Sequence, residues 1–149
     1  TTHIFDLARY FFGEVEKVFA VDKKGLMEDV KNYNIEDASS VTLVFNSGLI
    51  GTIYSAGFLS CGGKIGMNIY FKDRVIEYDE GIKIVEPNRE TKIFSLIDAG
   101  FLVDQVFIEA VKTKDASRIR STYSDAMKTL ALTLAADESM RTGKVIEVR

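Results

Sequence analysis

Cysteine, proline and tryptophan are almost missing from this chain of 149 residues, which holds one Cys, one Pro and no Trp. Cys61 has no partner for an intrachain disulfide, which fits a reducing compartment and sets a cytoplasmic expectation. One Cys and one His leave too few ligands for a structural zinc site, so no metal residue is nominated. No apolar run approaches the roughly 20 residues that cross a bilayer, and no membrane partner is expected. Excess positive charge is lacking too. Against 22 acidic residues stand 19 basic ones, a net charge of −3, so nothing marks a footprint for nucleic acid. No G-x-G-x-x-G follows a strand and no G-x-x-x-x-G-K-[ST] occurs; Gly62-Gly63-Lys64-Ile65-Gly66 fits neither spacing, and no cofactor-binding residue is nominated. What is present is a hydrophobic fraction of 46%, enough for one domain with a core and too high for a disordered chain. Thr1 and Thr2 stand where a Met would, and an amphipathic segment follows at once. The chain is therefore expected to be part of a longer polypeptide.

The opening THIFDLARYFFG carries Ile4, Leu7, Ala8 and Phe11 at the spacing of one helix face, with Thr1 or Thr2 as cap and Gly13 as stop. Asp6 and Arg9 then fall on the solvent side as a weak ion pair. A strand is expected over 15–21, while the polar stretch 23–36 shows no period. From Asp37 the sequence becomes a meander. Val41, Leu43 and Phe45 alternate with Ser40, Thr42 and Val44, Asn46-Ser47-Gly48 supplies hairpin chemistry, and a return strand runs from 49 to about 56. Glycines break the pattern over 57–63. Further strands are expected from Met67, at 75–78 and at 82–85, with turns at Lys72-Asp73 and Glu80-Gly81 and with Pro87-Asn88 closing the unit. Val103, Val106, Phe107, Ala110 and Val111 predict a second helix. A third spans about 122–141 with Met127, Leu130 and Leu134 as its core stripe, and 145–148 returns as a strand. Tight turns require antiparallel pairing, because parallel neighbours need long crossovers. The order predicts an α+β fold: an open, mostly antiparallel sheet with helices packed on one face.

By its own residues the chain holds no complete catalytic set. His3 and Cys61 are the one conceivable nucleophile pair, and no third group is placed to orient them. The carboxylates are scattered, and Asp79-Glu80 reads as a solvated turn.

Several patches, taken in order, nevertheless form a pattern. His3-Ile4-Phe5-Asp6-Leu7-Ala8-Arg9-Tyr10 is followed by Gly13-Glu14-Val15; Glu36-Asp37 precedes Val41 to Phe45 and then Gly48 and Gly51. Phe107-Ile108-Glu109-Ala110-Val111, Ser121 with Asp125-Ala126, and Ala135-Ala136, Ser139 and Thr142-Gly143-Lys144-Val145 complete it. In this arrangement the chain resembles the C-terminal domain of the Gfo/Idh/MocA oxidoreductases. The resemblance implies a two-domain enzyme whose N-terminal Rossmann half, absent here, binds NAD or NADP, with no cofactor held by this fragment. It implies that residues 1–149 form a single substrate-binding and oligomerisation domain, with a sheet face turned to a second subunit. The family's Lys, in its Glu-Lys-Pro motif, and the Asp four residues before its His both fall outside this chain; Glu86-Pro87 is not that motif.

On this resemblance His3 is the catalytic candidate, relaying the hydroxyl proton of a sugar, cyclitol or polyol; read alone it is a helix residue that caps or packs. Asp6 and Arg9 match the motif, but a surface ion pair explains them. The resemblance puts substrate contacts in the segment after the hairpin, which nominates Phe58, Ser60 and Cys61, although a plain strand connection explains them equally. Tyr123 is nominated for the cleft against a packing role. Tyr54, Ile69, Phe71 and Tyr78 are expected to share an exposed sheet face that pairs two subunits. The expectation is thus an oxidoreductase domain inactive alone. The rival is a non-enzymatic α+β module that binds a small ligand or dimerises.

Overall fold

A computed structural model describes residues 2–27, 30–79 and 81–148. Thr1, one of the two expected caps, and Glu80 of the expected Glu80-Gly81 turn lie outside the described residues. In chain order the elements are α1 (Thr2–Phe12), β1 (Val15–Lys23), β2 (Ala38–Phe45), β3 (Ile50–Ala56), β4 (Met67–Tyr70), β5 (Val75–Tyr78), β6 (Ile82–Glu86), β7 (Arg89–Ile93), α2 (Ala99–Thr113), α3 (Tyr123–Thr142) and β8 (Ile146–Glu147). They form an α+β fold with two open, antiparallel sheets, ordered β3-β2-β1-β8 and β4-β5-β6-β7. The chain divides into two compact units, the first made of residues 1–60 and 121–149, the second of 61–120.

In the first unit α1 and α3 cover one face of the β3-β2-β1-β8 sheet. Antiparallel registers set Ala20 opposite Val41 and Val18 opposite Leu43, while Val41 faces Ile53 on the other side. Alternation sends these side chains, with Phe45, to one face, where they are buried against Phe5 and Ala8 of α1 and Leu132, Ala135 and Ala136 of α3. A register shift between Val15 and Lys17 is a bulge that turns both Val15 and Val18 inward. The ring of Phe12 meets that of Phe45 edge-on at 5.7 Å. Strand β8 pairs with β1 only at Lys17 and Val18. Beyond it the Ala20 N–H donates to the Ser139 hydroxyl at 2.8 Å, and that hydroxyl donates to the Lys144 carbonyl at 2.6 Å. Ser139 of α3 thus continues the ladder where the short strand stops. Gly143 ends α3 in the left-handed conformation, φ +67°, and its N–H returns to the Ser139 carbonyl.

The helix faces differ from the expected ones. Of the face read as Ile4, Leu7, Ala8 and Phe11, Ala8 is buried and Ile4 packs against the core, but Phe11 is exposed and Phe5 and Arg9 are buried in its stead. Met127, Leu130 and Leu134 are each about half exposed and are not core. The face of α3 against the sheet carries Thr129, Leu132, Ala135, Ala136 and Ser139, because close approach selects small side chains over large ones.

The second unit is a four-stranded meander with α2. Its strand β7 was not expected, since RETKI is polar. It pairs with β6 beyond the Pro87-Asn88 turn, and Glu90 binds both Lys83 and Lys92 at 3.4 Å. Met67, Ile69, Ile76, Tyr78, Ile82 and Ile84 share the opposite face by register. None of the unit's described residues is buried, and the apolar stripe of α2, a helix as expected, is largely exposed. At Gly66 a side chain would run into the Tyr78 carbonyl, which accounts for a glycine that no phosphate-loop spacing explained. The expected quartet of sheet-face residues is divided: Tyr54 belongs to the first sheet, Ile69 and Tyr78 to the second, and Phe71 follows β4.

Candidate functional site

The first turn of α1 holds His3 in solvent. Leu7 and Tyr10 follow it at i+4 and i+7, on the side of the helix away from the buried Phe5 and Ala8. Along α3, Tyr123, Met127, Leu130 and Leu134 repeat the same spacing opposite the sheet-facing residues, and all are exposed. The outer surface of this helix pair is therefore an apolar stripe with an imidazole at one end.

Phe58 and Ser60 lie exposed in the segment after β3, while Cys61, also exposed, opens the second unit. Tyr123 begins α3 and is 84% exposed, so it does not pack. Asp6 of α1 meets Thr129 of α3, and Arg9, one turn later, meets Asp125, one turn earlier. The two helices therefore run in opposite senses. His3 falls level with Leu132, and Tyr123 lies about 14 Å away along α3 at 1.5 Å per residue.

Arg9 is not the surface partner expected of it. It is 7% exposed, and all five of its N–H donors are used. Nε and Nη2 grip the two oxygens of Glu14 at 3.0 Å each; Nη2 also donates to Asp125 Oδ1 at 3.0 Å. Nη1 donates to the Asp125 carbonyl at 3.2 Å and to the Thr129 hydroxyl at 2.7 Å. That hydroxyl in turn donates a hydrogen bond to Asp6 Oδ1 at 2.7 Å. Lys128 Nζ adds a bond to Glu14 at 3.1 Å. The direct contact of Arg9 with Asp6 is the longest of the set, at 3.9 Å. Hydrogen bonding from Arg9, before any other cause, brings the Glu14 carboxyl down to about 2, and bonding to Glu14 raises the Arg9 guanidinium above its ordinary value.

Asp37 is a second buried polar residue whose part the sequence did not disclose. Its Oδ2 accepts from the Leu26 N–H at 2.8 Å, and its carbonyl accepts from the Gly57 N–H at 2.6 Å. Asp37 so joins the loop after β1 to the segment that carries Phe58 and Ser60. Burial first, and then the charge of Asp37, pushes the Tyr33 phenol up. The one signal in the sequence was an acidic pair directly before a strand, Glu36-Asp37. Among the described residues no group of three His, Cys, Asp or Glu is placed to hold a metal ion, and no helix is long and apolar enough to cross a membrane.

Residues 1–77 match the family described as GFO/IDH/MocA C-terminal domain. Among curated proteins none matches the chain in sequence. Solved structures do resemble it. An oxidoreductase from Agrobacterium radiobacter, in complex with NAD+, L-tartaric acid and magnesium, superposes with a TM-score of 0.78 at 18% identity, over 99% of this chain and 47% of its own. Levoglucosan dehydrogenase does so with NADH and L-sorbose, TM-score 0.83, and with NADH and levoglucosan, TM-score 0.82. In both, identity is 16%, and the overlap covers 99% of this chain and 48% of theirs. The chain thus spans about half the length of the structures it resembles.

Proposed function

The chain belongs to the GFO/IDH/MocA family through its C-terminal domain, and from that membership we propose that residues 1–149 serve as the substrate-binding and oligomerisation domain of an NAD(P)-dependent oxidoreductase acting on a sugar, cyclitol or polyol. The observation that carries the reading is His3, exposed at the end of an apolar stripe formed by α1 and α3. Such a stripe suits a companion domain, and an imidazole at its margin faces whatever that domain holds.

A secondary alcohol gives up hydride only as its hydroxyl proton departs, so a proton acceptor must lie within hydrogen-bond reach. Imidazole is the side chain suited to that exchange near neutral pH, and His3 takes the part. A nicotinamide bound in the longer enzyme would supply the hydride acceptor. The strand pairs described are all antiparallel, so they contain no strand–helix–strand crossover to present a helix N-terminus to a pyrophosphate. The nucleotide is accordingly assigned to a domain outside these residues. Phe58, Ser60 and Tyr123 stay as candidate substrate contacts, with Cys61 beside them in sequence. Oligomerisation is assigned to the sheet faces, where Phe19, Val21, Ile50 and Tyr54 of the first unit are exposed opposite the helices. The lone Cys61 suits a cytoplasmic home.

Two measurements test the reading. Calorimetry of the 149-residue chain with NAD+ or NADP+ is expected to show no tight binding, and micromolar affinity refutes it. In the longer enzyme, His3→Asn is expected to abolish turnover while the cofactor still binds; undiminished turnover removes His3 from the chemistry.

A further inference from the structure

The bonds around Arg9 do more than hold α1 in place. Phe5 and Ala8 of α1 pack into the core, but apolar contact is non-directional and does not by itself set a helix's register. Directed bonds fix register: Arg9 forks onto Glu14 just past the end of α1, and its remaining donors reach the Asp125 carboxylate, the Asp125 carbonyl and the Thr129 hydroxyl of α3. Here two successive turns of α1 are pinned to two successive turns of α3: Arg9 to Asp125, and Asp6 to Thr129. The Thr129 hydroxyl is shared, accepting from Arg9 and donating to Asp6, so the two pins are linked. One turn further back stands His3, on a helix of only 11 residues. So short a helix has little intrinsic stability and takes its place from such tertiary contacts.

We infer that Arg9, Thr129 and Asp6 together set the position of His3, with Arg9 and Thr129 as positioning residues that never touch substrate. The functional weight of this rests on the reading of His3 as proton relay, but the positioning itself can be measured without it. Thr129→Val keeps the side-chain shape and cuts the link to Asp6; Thr129→Ser restores the hydroxyl. Arg9→Lys keeps the charge and loses the fork.

His3 is the one histidine of the chain, so its ring protons give a single, unmistakable pair of NMR signals. Thr129→Val and Arg9→Lys are expected to shift or broaden that pair, while Thr129→Ser returns it to the wild-type place. Far-UV circular dichroism on the same samples checks that both variants remain folded; where Arg9→Lys does not, the two Thr129 variants carry the comparison. Signals unmoved in folded Thr129→Val overturn the inference, whatever His3 does chemically. In the longer enzyme, Thr129→Val is expected to lower kcat about tenfold or more, with KM for the nicotinamide cofactor unchanged and Thr129→Ser active. If His3→Asn is inactive while Thr129→Val keeps full kcat, the positioning claim falls; if His3→Asn is active, the relay reading falls and the NMR result alone decides the positioning.

Discussion

Replacing Ser139 by alanine removes one oxygen and leaves two backbone groups without a partner. The residue is fully buried, and its hydroxyl accepts from the Ala20 N–H at 2.8 Å and donates to the Lys144 carbonyl at 2.6 Å. Ala20 is itself fully buried, so its N–H finds no water and the loss costs about 1–3 kcal/mol. Lys144 is exposed and its carbonyl can be hydrated, which reduces that loss to about 0.5–1 kcal/mol. Together the variant should lose about 1.5–4 kcal/mol, a large share of the roughly 5–15 kcal/mol that holds an ordinary domain folded. Urea unfolding followed by far-UV circular dichroism measures the total. Hydrogen exchange at the Ala20 amide isolates the local part, which separates the first unit from the second. A loss below about 0.5 kcal/mol, with the Ala20 amide as protected as in wild type, would refute the argument that Ser139 stands in for a strand.

Core orientation gives a paired prediction: Leu132→Ala is expected to cost about 2–5 kcal/mol in chemical denaturation, and Leu130→Ala, on the outer stripe, to stay within about 0.5 kcal/mol. Equal losses would restore the core stripe read from the sequence. Acid should also weaken the Arg9 grip. Glu14 has its carboxyl lowered from 4.5 to about 2 on folding, so its contribution is complete above 4.5 and fades as pH falls through about 2. Its side chain is 46% exposed and therefore screened, so on the order of 1 kcal/mol is expected. Unfolding midpoints measured across that pH range should show it, and Glu14→Gln should flatten the dependence.

The strands most visible in the sequence were β2, whose strict alternation sends the expected Val41, Leu43 and Phe45 inward, and β3, which returns beyond the glycine turn. Strand β7 escaped because its residues are mostly charged or polar, with Glu90 pairing to Lys83 across the sheet and to Lys92 along its own strand. Hydropathy ranks large side chains, so it chose Met127, Leu130 and Leu134 for the core of α3. Proximity to a sheet instead favoured Ala135, Ala136 and Ser139. Arg9 could not be placed inward from its own neighbourhood, because two of its acceptors come from Asp125 and Thr129, 116 and 120 residues away. Of the nominated residues, His3 lies where a partner can reach it, and Tyr123 is separated from it by the opposed run of the two helices.

The first unit takes Leu132, Ala135 and Ala136 from the far side of the interval 61–120. During synthesis that interval delays core closure: at about 5–20 residues per second, roughly sixty residues occupy the ribosome for about 3–12 s. Val18, Val41, Leu43 and Phe45 then have only the Phe5 and Ala8 side of their cover, and the α3 side stays open throughout that wait. A nascent chain of this design is a natural client for chaperones that shield sticky sheets until translation ends.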